Sequence, residues 1–157
     1  MKLLSIISAL SIATASVSSA QVEVEVDADK IINTLQLDGN LKGLLTQVVP
    51  RTQTYQIVRK KCAFSHGTLF RTGIVKAQEK HSEEWKMGIT HALRSSYGDA
   101  WIAETSELTK DEMLSAFRNI QSLNSYGVHM QENIGETLQS AVTTVIEYMW
   151  SECSEKN

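Results

Sequence analysis

The residues of this 157-residue chain that could most readily support catalysis or metal binding are its two cysteines and four histidines. Cys62 precedes His66 by four residues, a spacing that could place a thiol beside a base, as nucleophilic catalysis by cysteine requires. The sequence contains no paired-histidine spacing of a zinc protease, no Cys-x-x-Cys unit and no haem-attachment motif. These patterns favour no metal and no cofactor.

The chain has two pairs of adjacent carboxylates, Glu83–Glu84 and Asp111–Glu112. Such pairs could indicate glycoside hydrolysis, because paired carboxylates can cleave glycosidic bonds. Each pair falls in the first turn of a predicted helix, where negative side chains interact favourably with the helix dipole. The sequence has no Gly-x-Ser-x-Gly elbow and no glycine-rich phosphate loop. We therefore expect no enzyme, and an envelope enzyme that uses these carboxylates is an alternative.

Residues 1–20 have the pattern of a cleaved secretory signal peptide. Lys2 gives a positive start, residues 3–14 are apolar apart from serines and one threonine, and small residues follow. We predict cleavage before Gln21, which leaves one domain at 21–157 that is periplasmic or secreted. No later stretch has the roughly 18 continuous apolar residues of a transmembrane helix.

The net charge of the mature chain limits its partners. Its fourteen basic and eighteen acidic side chains give a charge of −4. A mildly acidic exported chain is a poor candidate for binding nucleic acid, which requires basic surface against phosphates. We therefore expect no nucleic-acid partner.

Export also changes the interpretation of the cysteines. In an oxidising compartment, Cys62 and Cys153 are most simply one intramolecular disulfide. It would close a loop of about 90 residues, which the chain-entropy model values at roughly 4–5 kcal/mol. A disulfide removes the thiolate that a nucleophile or a metal ligand needs.

The elements that must position these residues are predicted to be helices. A single proline and sparse glycines argue against a β-rich domain, and we predict an all-α compact bundle of about five to seven helices. The alternating Val-Glu segment at 21–26 is predicted to be extended and frayed. Helices are predicted to begin at Asp27, Thr52, Ser82 and the capping box of Thr109 and Glu112. Helices are predicted to be interrupted at 38–40, Pro50, 65–67, Gly98 and Gly127.

The last predicted helix, residues 128–151, is the longest and has two adjacent apolar stripes. The first stripe comprises Ile134, Leu138, Ala141 and Val145, and the second comprises Val142, Ile146, Met149 and Cys153. Such a wide apolar face is typical of the central helix of a bundle. It is also consistent with a helix that seals a homodimer, and the sequence leaves both interpretations open.

Charge is distributed unevenly along the chain. Residues 51–80 contain seven basic side chains against one acidic side chain, and residues 99–157 contain ten acidic against three basic. Either the two segments pack together, or the basic segment is a face for an anionic partner. We predict these partner-binding residues from the basic run and from the aromatics around Gly98: Arg59, Lys60, Lys61, Tyr97 and Trp101.

The absence of a catalytic pattern, the uneven charge and the wide apolar helix together favour a binding protein that acts through a protein partner. The concrete hypothesis is a periplasmic inhibitor or immunity-type protein that neutralises an envelope-targeting toxin. A periplasmic carrier of a small apolar ligand, held between helices, is the main alternative.

Overall fold

The computed structural model describes residues 19–62, 65–118 and 120–154, with side chains at 25–62, 65–118 and 123–153. Seven α-helices occupy these residues: α1 (Ser19–Leu35), α2 (Asn40–Val48), α3 (Gln53–Lys61), α4 (His66–Tyr97), α5 (Asp99–Ser106), α6 (Lys110–Phe117) and α7 (Ile120–Ser154). Short 3₁₀ helices at Leu37–Gly39 and Val49–Arg51 join α1 to α2 and α2 to α3. The predicted all-α bundle with a long C-terminal helix is confirmed.

Most of the predicted signal peptide, residues 1–18, lies outside the described residues, so cleavage before Gln21 stays a prediction. Across the described part of the chain, no helix combines the length and apolar character that crossing a membrane requires.

The two longest helices, α4 and α7, form an antiparallel hairpin that runs the length of the molecule. Gly73 near the start of α4 lies against Val145, whereas Gly88 lies against Ile134 nearer the start of α7. A Cβ atom added to Gly88 would lie 2.5 Å from Cγ2 of Ile134, so the close approach of the helices requires glycine there. The shorter helices pack around this hairpin.

One hydrophobic core joins the hairpin to the shorter helices. Its largest fully buried side chains come from every α-helix: Trp85, Ile31, Ile32, Leu41, Leu45, Ile89, Leu93, Ile102, Met113, Met149, Val49 and Val58. The spacing of these residues by four positions within α2 and α4 explains why each of these segments is helical, because one face of each helix reaches the core.

The N-terminal part of the fold differs from the prediction. Residues 21–26 are helical, so the extended segment and the helix start at Asp27 were both wrong. Asp27 instead accepts a hydrogen bond from the hydroxyl of Ser106 in α5, at 3.1 Å. Because α1 buries Ile31 and Ile32 in the core, tertiary packing overrides the local preference of alternating valines for strand.

The middle of the chain also differs, because α4 is a single helix. It begins at His66, inside the predicted turn at 65–67, and it passes through Ser82, which was predicted as a cap. Ile74, Ala77 and Trp85 lie on its buried face, and the buried polar residue at position 81 interrupts that apolar pattern. This interruption hid the helical period.

The last helix begins earlier than predicted. α7 starts at Ile120 and passes through Gly127, which was predicted to end or bend a helix. A Cβ atom at Gly127 would meet nothing within 4 Å, so the glycine is not required there by packing. A single glycine weakens a helix by only about 1 kcal/mol relative to alanine, which packing elsewhere along α7 can offset.

The predicted disulfide between Cys62 and Cys153 is confirmed. Cys62 follows α3 and Cys153 lies in the last turn of α7, with their Cα atoms 5.7 Å apart and both side chains buried. The disulfide holds α3 against the end of α7. The Cys62–His66 nucleophilic pair is thereby excluded while the bond is formed, because Cys62 carries no free thiol.

Candidate functional site

One end of the molecule collects most of the basic side chains. Since α4 and α7 are antiparallel, α3 and the first half of α4 meet the last part of α7. We call the described residues 49–62, 65–81 and 137–153 the basic end. It contains seven lysines and arginines: Arg51, Arg59, Lys60, Lys61, Arg71, Lys76 and Lys80. Its three carboxylates are Glu79, Glu147 and Glu152.

The other described residues have the opposite charge balance. Residues 25–48, 82–118 and 123–136 hold thirteen acidic side chains and six lysines or arginines. Of the described carboxylates in the acidic C-terminal segment, the antiparallel hairpin brings Glu147 and Glu152 to the basic end. Binding of an anionic partner by this end stays a prediction.

Ion pairs follow the same division. Two ion pairs of the described residues, Lys30–Glu107 at 2.9 Å and Arg94–Asp99 at 2.8 Å, lie outside the basic end. Bonding to Lys30 lowers the pKa of Glu107, and hydrogen bonding to Asp99 raises the pKa of Arg94.

Two lysines of the basic end instead lie over aromatic rings of α7. The ammonium nitrogen of Lys61 is 4.3 Å from the ring centroid of Trp150, and that of Lys76 is 5.2 Å from Tyr148. These are cation–π contacts, which orient an ammonium group without neutralising its charge. The positive charge therefore stays at the surface.

Arg59 and Lys60 line a surface cavity of about 400 Å³ together with Gln56 and His66. The amide nitrogen of Gln56 donates to the carbonyl oxygen of Pro50 at 2.6 Å, which fixes one wall. Guanidinium, ammonium and imidazole groups all bind carboxylate or phosphate oxygens. The cavity therefore suits an anionic group, and sequence reasoning placed His66 with Cys62 instead.

The predicted aromatic residues, Tyr97 and Trp101, lie at the opposite end. Their rings stack with centroids 4.0 Å apart, and Phe117 and Tyr126 complete a cluster between α4, α5, α6 and α7. The hydroxyl of Tyr97 donates to the carbonyl oxygen of Phe117 at 3.5 Å, and burial raises the pKa of Tyr97 and Tyr126. These contacts are those of a packed core edge.

The five predicted partner-binding residues thus form two separate groups. His66 and Tyr97 begin and end α4, so about 46 Å separates them at a rise of about 1.5 Å per residue. Within the basic run, Lys61 lies over Trp150, whereas Arg59 and Lys60 line the cavity with His66. The structure joins Arg59 and Lys60 into one site and does not bring Tyr97 or Trp101 to it.

A buried polar group that the sequence did not reveal links α4 to α7. His81 is 3% exposed; its Nε2 lies 3.0 Å from Oγ1 of Thr144, and its Nδ1 lies 3.3 Å from Oε2 of Glu84. The order carboxylate, imidazole, hydroxyl is that of a hydrolase triad. However, Thr144 and His81 lie within long helices, whose backbone N–H groups are bonded within the helix and cannot form an oxyanion hole.

The predicted carboxylate pairs do not form paired sites. Glu83 and Glu84 lie within α4 rather than in a first turn, and Glu83 lines a mixed-charge groove of about 240 Å³ beside α1, away from His81. Glu112 forms the predicted capping box with Thr109, accepting from its backbone nitrogen at 2.9 Å and its hydroxyl at 2.6 Å. These hydrogen bonds lower the pKa of Glu112.

In the described part of the chain, no three His, Cys, Asp or Glu side chains are grouped to hold a metal ion. Comparisons with protein-family models, with curated proteins and with solved structures find no match. A functional proposal therefore rests on the geometry and charge of this chain alone.

Proposed function

We propose that this chain is an exported binding protein that engages an acidic surface of a protein partner through its basic end. In its concrete form it is an inhibitor or immunity-type protein that neutralises a toxin acting on the cell envelope. The observation that carries the proposal is the gathering of seven lysines and arginines at one end of an otherwise acidic molecule.

Electrostatics supports this proposal. Like charges that are gathered at one end of a molecule repel one another and reduce stability. The same arrangement accelerates encounter with an oppositely charged surface and discriminates against other partners. Arg59 and Lys60, which are exposed on α3 beside a cavity, are placed to meet a carboxylate of that partner.

The rigidity of the basic end also supports a binding role. Cys62 lies directly after α3, so the disulfide fixes the helix that carries Arg59 and Lys60. A surface that is already ordered loses less conformational entropy when it binds. Such a disulfide persists in an oxidising compartment, in line with the proposed export.

Partner capture tests the proposal. The mature, disulfide-bonded chain is immobilised and exposed to envelope extract at low and high salt, and the bound proteins are identified. We expect one acidic protein to be retained at low salt and released at high salt, since exposed charge pairs are screened by salt. The double variant Arg59→Glu/Lys60→Glu is expected to lose that protein.

A matched variant controls for charge alone. Lys42→Glu/Lys110→Glu changes the net charge equally, at two exposed positions outside the basic end. We expect it to retain the partner as the unaltered chain does. Loss of the partner in this control, or its retention by Arg59→Glu/Lys60→Glu, would count against recognition by the basic end.

A further inference from the structure

An apolar groove runs along the side of α7 next to α2 and α3. Leu138, Val142 and Ile146 form its half-buried floor, and Val48 and Gly135 are among the residues at its edges. The groove has a volume of about 440 Å³ and is open to solvent. Leu138, Val142 and Ile146 belong to the two apolar stripes that the sequence predicts for the last helix.

The apolar stripe continues beyond both ends of the groove. At about 100° per residue, Val128, Gly135, Ile146 and Trp150 project from one side of α7. Val128 is 56% exposed and Trp150 is 42% exposed, and Ile57 on the adjacent α3 is 50% exposed. Val128 and Trp150 extend the apolar surface of α7 beyond the groove, with the exposed Glu132 and Gln139 on the same side of the helix. Exposed apolar side chains of this kind are typical of a surface that another helix covers.

We propose that a second copy of this chain covers the groove, with the two α7 helices antiparallel about a twofold axis near residues 142 and 143. In this register Trp150 lies over Gly135 of the partner subunit, and Ile146 lies near the partner subunit's Gln139. A Cβ atom at Gly135 would meet nothing within 4 Å, so the space above this glycine is open to an aromatic ring.

Charge complementarity favours a second copy of the chain in the groove and an antiparallel arrangement of the two α7 helices. Lys61 lies over Trp150, so the antiparallel arrangement brings its ammonium group to Glu136 of the partner subunit, which follows Gly135. Glu136 is exposed, and the twofold axis repeats the pair. A parallel arrangement would instead place Lys61 beside the partner subunit's Lys61, where like charges repel.

The dimer goes beyond the proposed function and does not depend on it. Lys61 lies on the α7 side of α3, whereas Arg59 and Lys60 line a cavity with His66. The cavity therefore stays accessible when the α7 grooves pair. A dimer of this form presents two basic cavities, one on each subunit.

Sedimentation equilibrium of the mature, disulfide-bonded chain tests the proposal. We expect twice the chain mass at about 100 μM, a concentration at which even a weak specific dimer is populated. Ile146→Glu is expected to raise the dimer dissociation constant at least about tenfold, because it buries an unpaired charge at the centre of the interface. Val75→Glu, at a 46% exposed apolar position on α4, is the control and is expected to remain dimeric.

Gly135→Gln separates loss of association from loss of folding. The added side chain has room in the single subunit and improves the helix propensity, so the unfolding midpoint of the monomer should not fall. The side chain would collide with Trp150 of the partner subunit, and we expect dimerisation to weaken about tenfold or more.

A charge exchange tests the register. Lys61→Glu and Glu136→Lys are each expected to weaken the dimer, and the double variant Lys61→Glu/Glu136→Lys should restore it to within about threefold of the unaltered chain. A monomer at about 100 μM overturns the proposal. A dimer that tolerates Ile146→Glu, or a double variant no better than the single ones, overturns it as well.

Discussion

The two ends of the helical hairpin are stabilised in different ways. At the end where α4 meets α5, Tyr97 and Trp101 stack, and Lys30–Glu107 and Arg94–Asp99 form ion pairs. At the basic end, the corresponding link is covalent, through Cys62 and Cys153. A covalent bond thus fixes the basic end, whereas ring contacts and ion pairs hold the opposite end.

Removing the disulfide is expected to have the largest effect and to act on one end. The double variant Cys62→Ser/Cys153→Ser should lower the free energy of unfolding by roughly 4–5 kcal/mol, from a loop of 91 residues in the chain-entropy model. Urea denaturation measures the loss. Hydrogen exchange should show faster opening of α3 than of α5 or α6, and equal acceleration at both ends would contradict the comparison.

Truncating the aromatic cluster is expected to be the next largest effect and to act on the opposite end. Phe117→Ala should lower the free energy of unfolding by about 2–3 kcal/mol, because a half-buried ring leaves the cluster. Tyr97→Phe keeps the stacked ring and loses only a long hydrogen bond, so we expect a change below about 0.5 kcal/mol. Equal losses in the two variants, measured by urea denaturation, would show that packing is not what stabilises this end.

The hairpin of α4 and α7 separates the two ends of the molecule. The close approach of its two helices can be tested by substituting glycines. Gly88→Ala should destabilise the fold by about 1–3 kcal/mol, because its Cβ would collide with Ile134. Gly127→Ala is the control in α7, where a Cβ meets no atom within 4 Å, and we expect up to about 1 kcal/mol of stabilisation. Thermal unfolding distinguishes the two signs.

The capping box at the start of α6 is expected to give the smallest of these effects. Thr109→Ala should lower the free energy of unfolding by about 1 kcal/mol at neutral pH. The pKa of Glu112 is lowered by its bonds to Thr109, so its contribution is present above the unfolded-state pKa and is lost as pH falls through the folded-state pKa. Unfolding at pH about 3 should therefore show a smaller difference between variant and unaltered chain, and an unchanged difference would contradict this account.

Local signals in the sequence were sufficient for much of the fold. The lack of turn residues predicted an all-α bundle. The helix start at Thr52 and the capping box at Thr109 were also correct, because side-chain caps depend on neighbouring residues only. The disulfide followed from the predicted compartment. The continuity of α4 was missed because His81 is buried through bonds to Glu84 and Thr144, and Thr144 lies 63 residues away.

The candidate site was less predictable, since it depends on topology. The basic run from Arg59 to Lys61 was visible in the sequence, but whether the acidic C-terminal segment neutralises it depends on the direction of α7 relative to α4. The separation of Tyr97 from Arg59 follows from the uninterrupted length of α4, which the sequence did not reveal. His66 joined the site because α4 begins there, after a turn that sequence patterns do not orient.

Amine footprinting tests most directly whether the basic end is the binding surface. The captured partner is added to the mature chain, exposed lysines are acetylated, and mass spectrometry compares the modification of Lys60 with that of Lys42 and Lys110. We expect the partner to protect Lys60 and to leave Lys42 and Lys110 as reactive as in the free chain. Unchanged reactivity of Lys60, with protection at Lys42 or Lys110, would contradict the account.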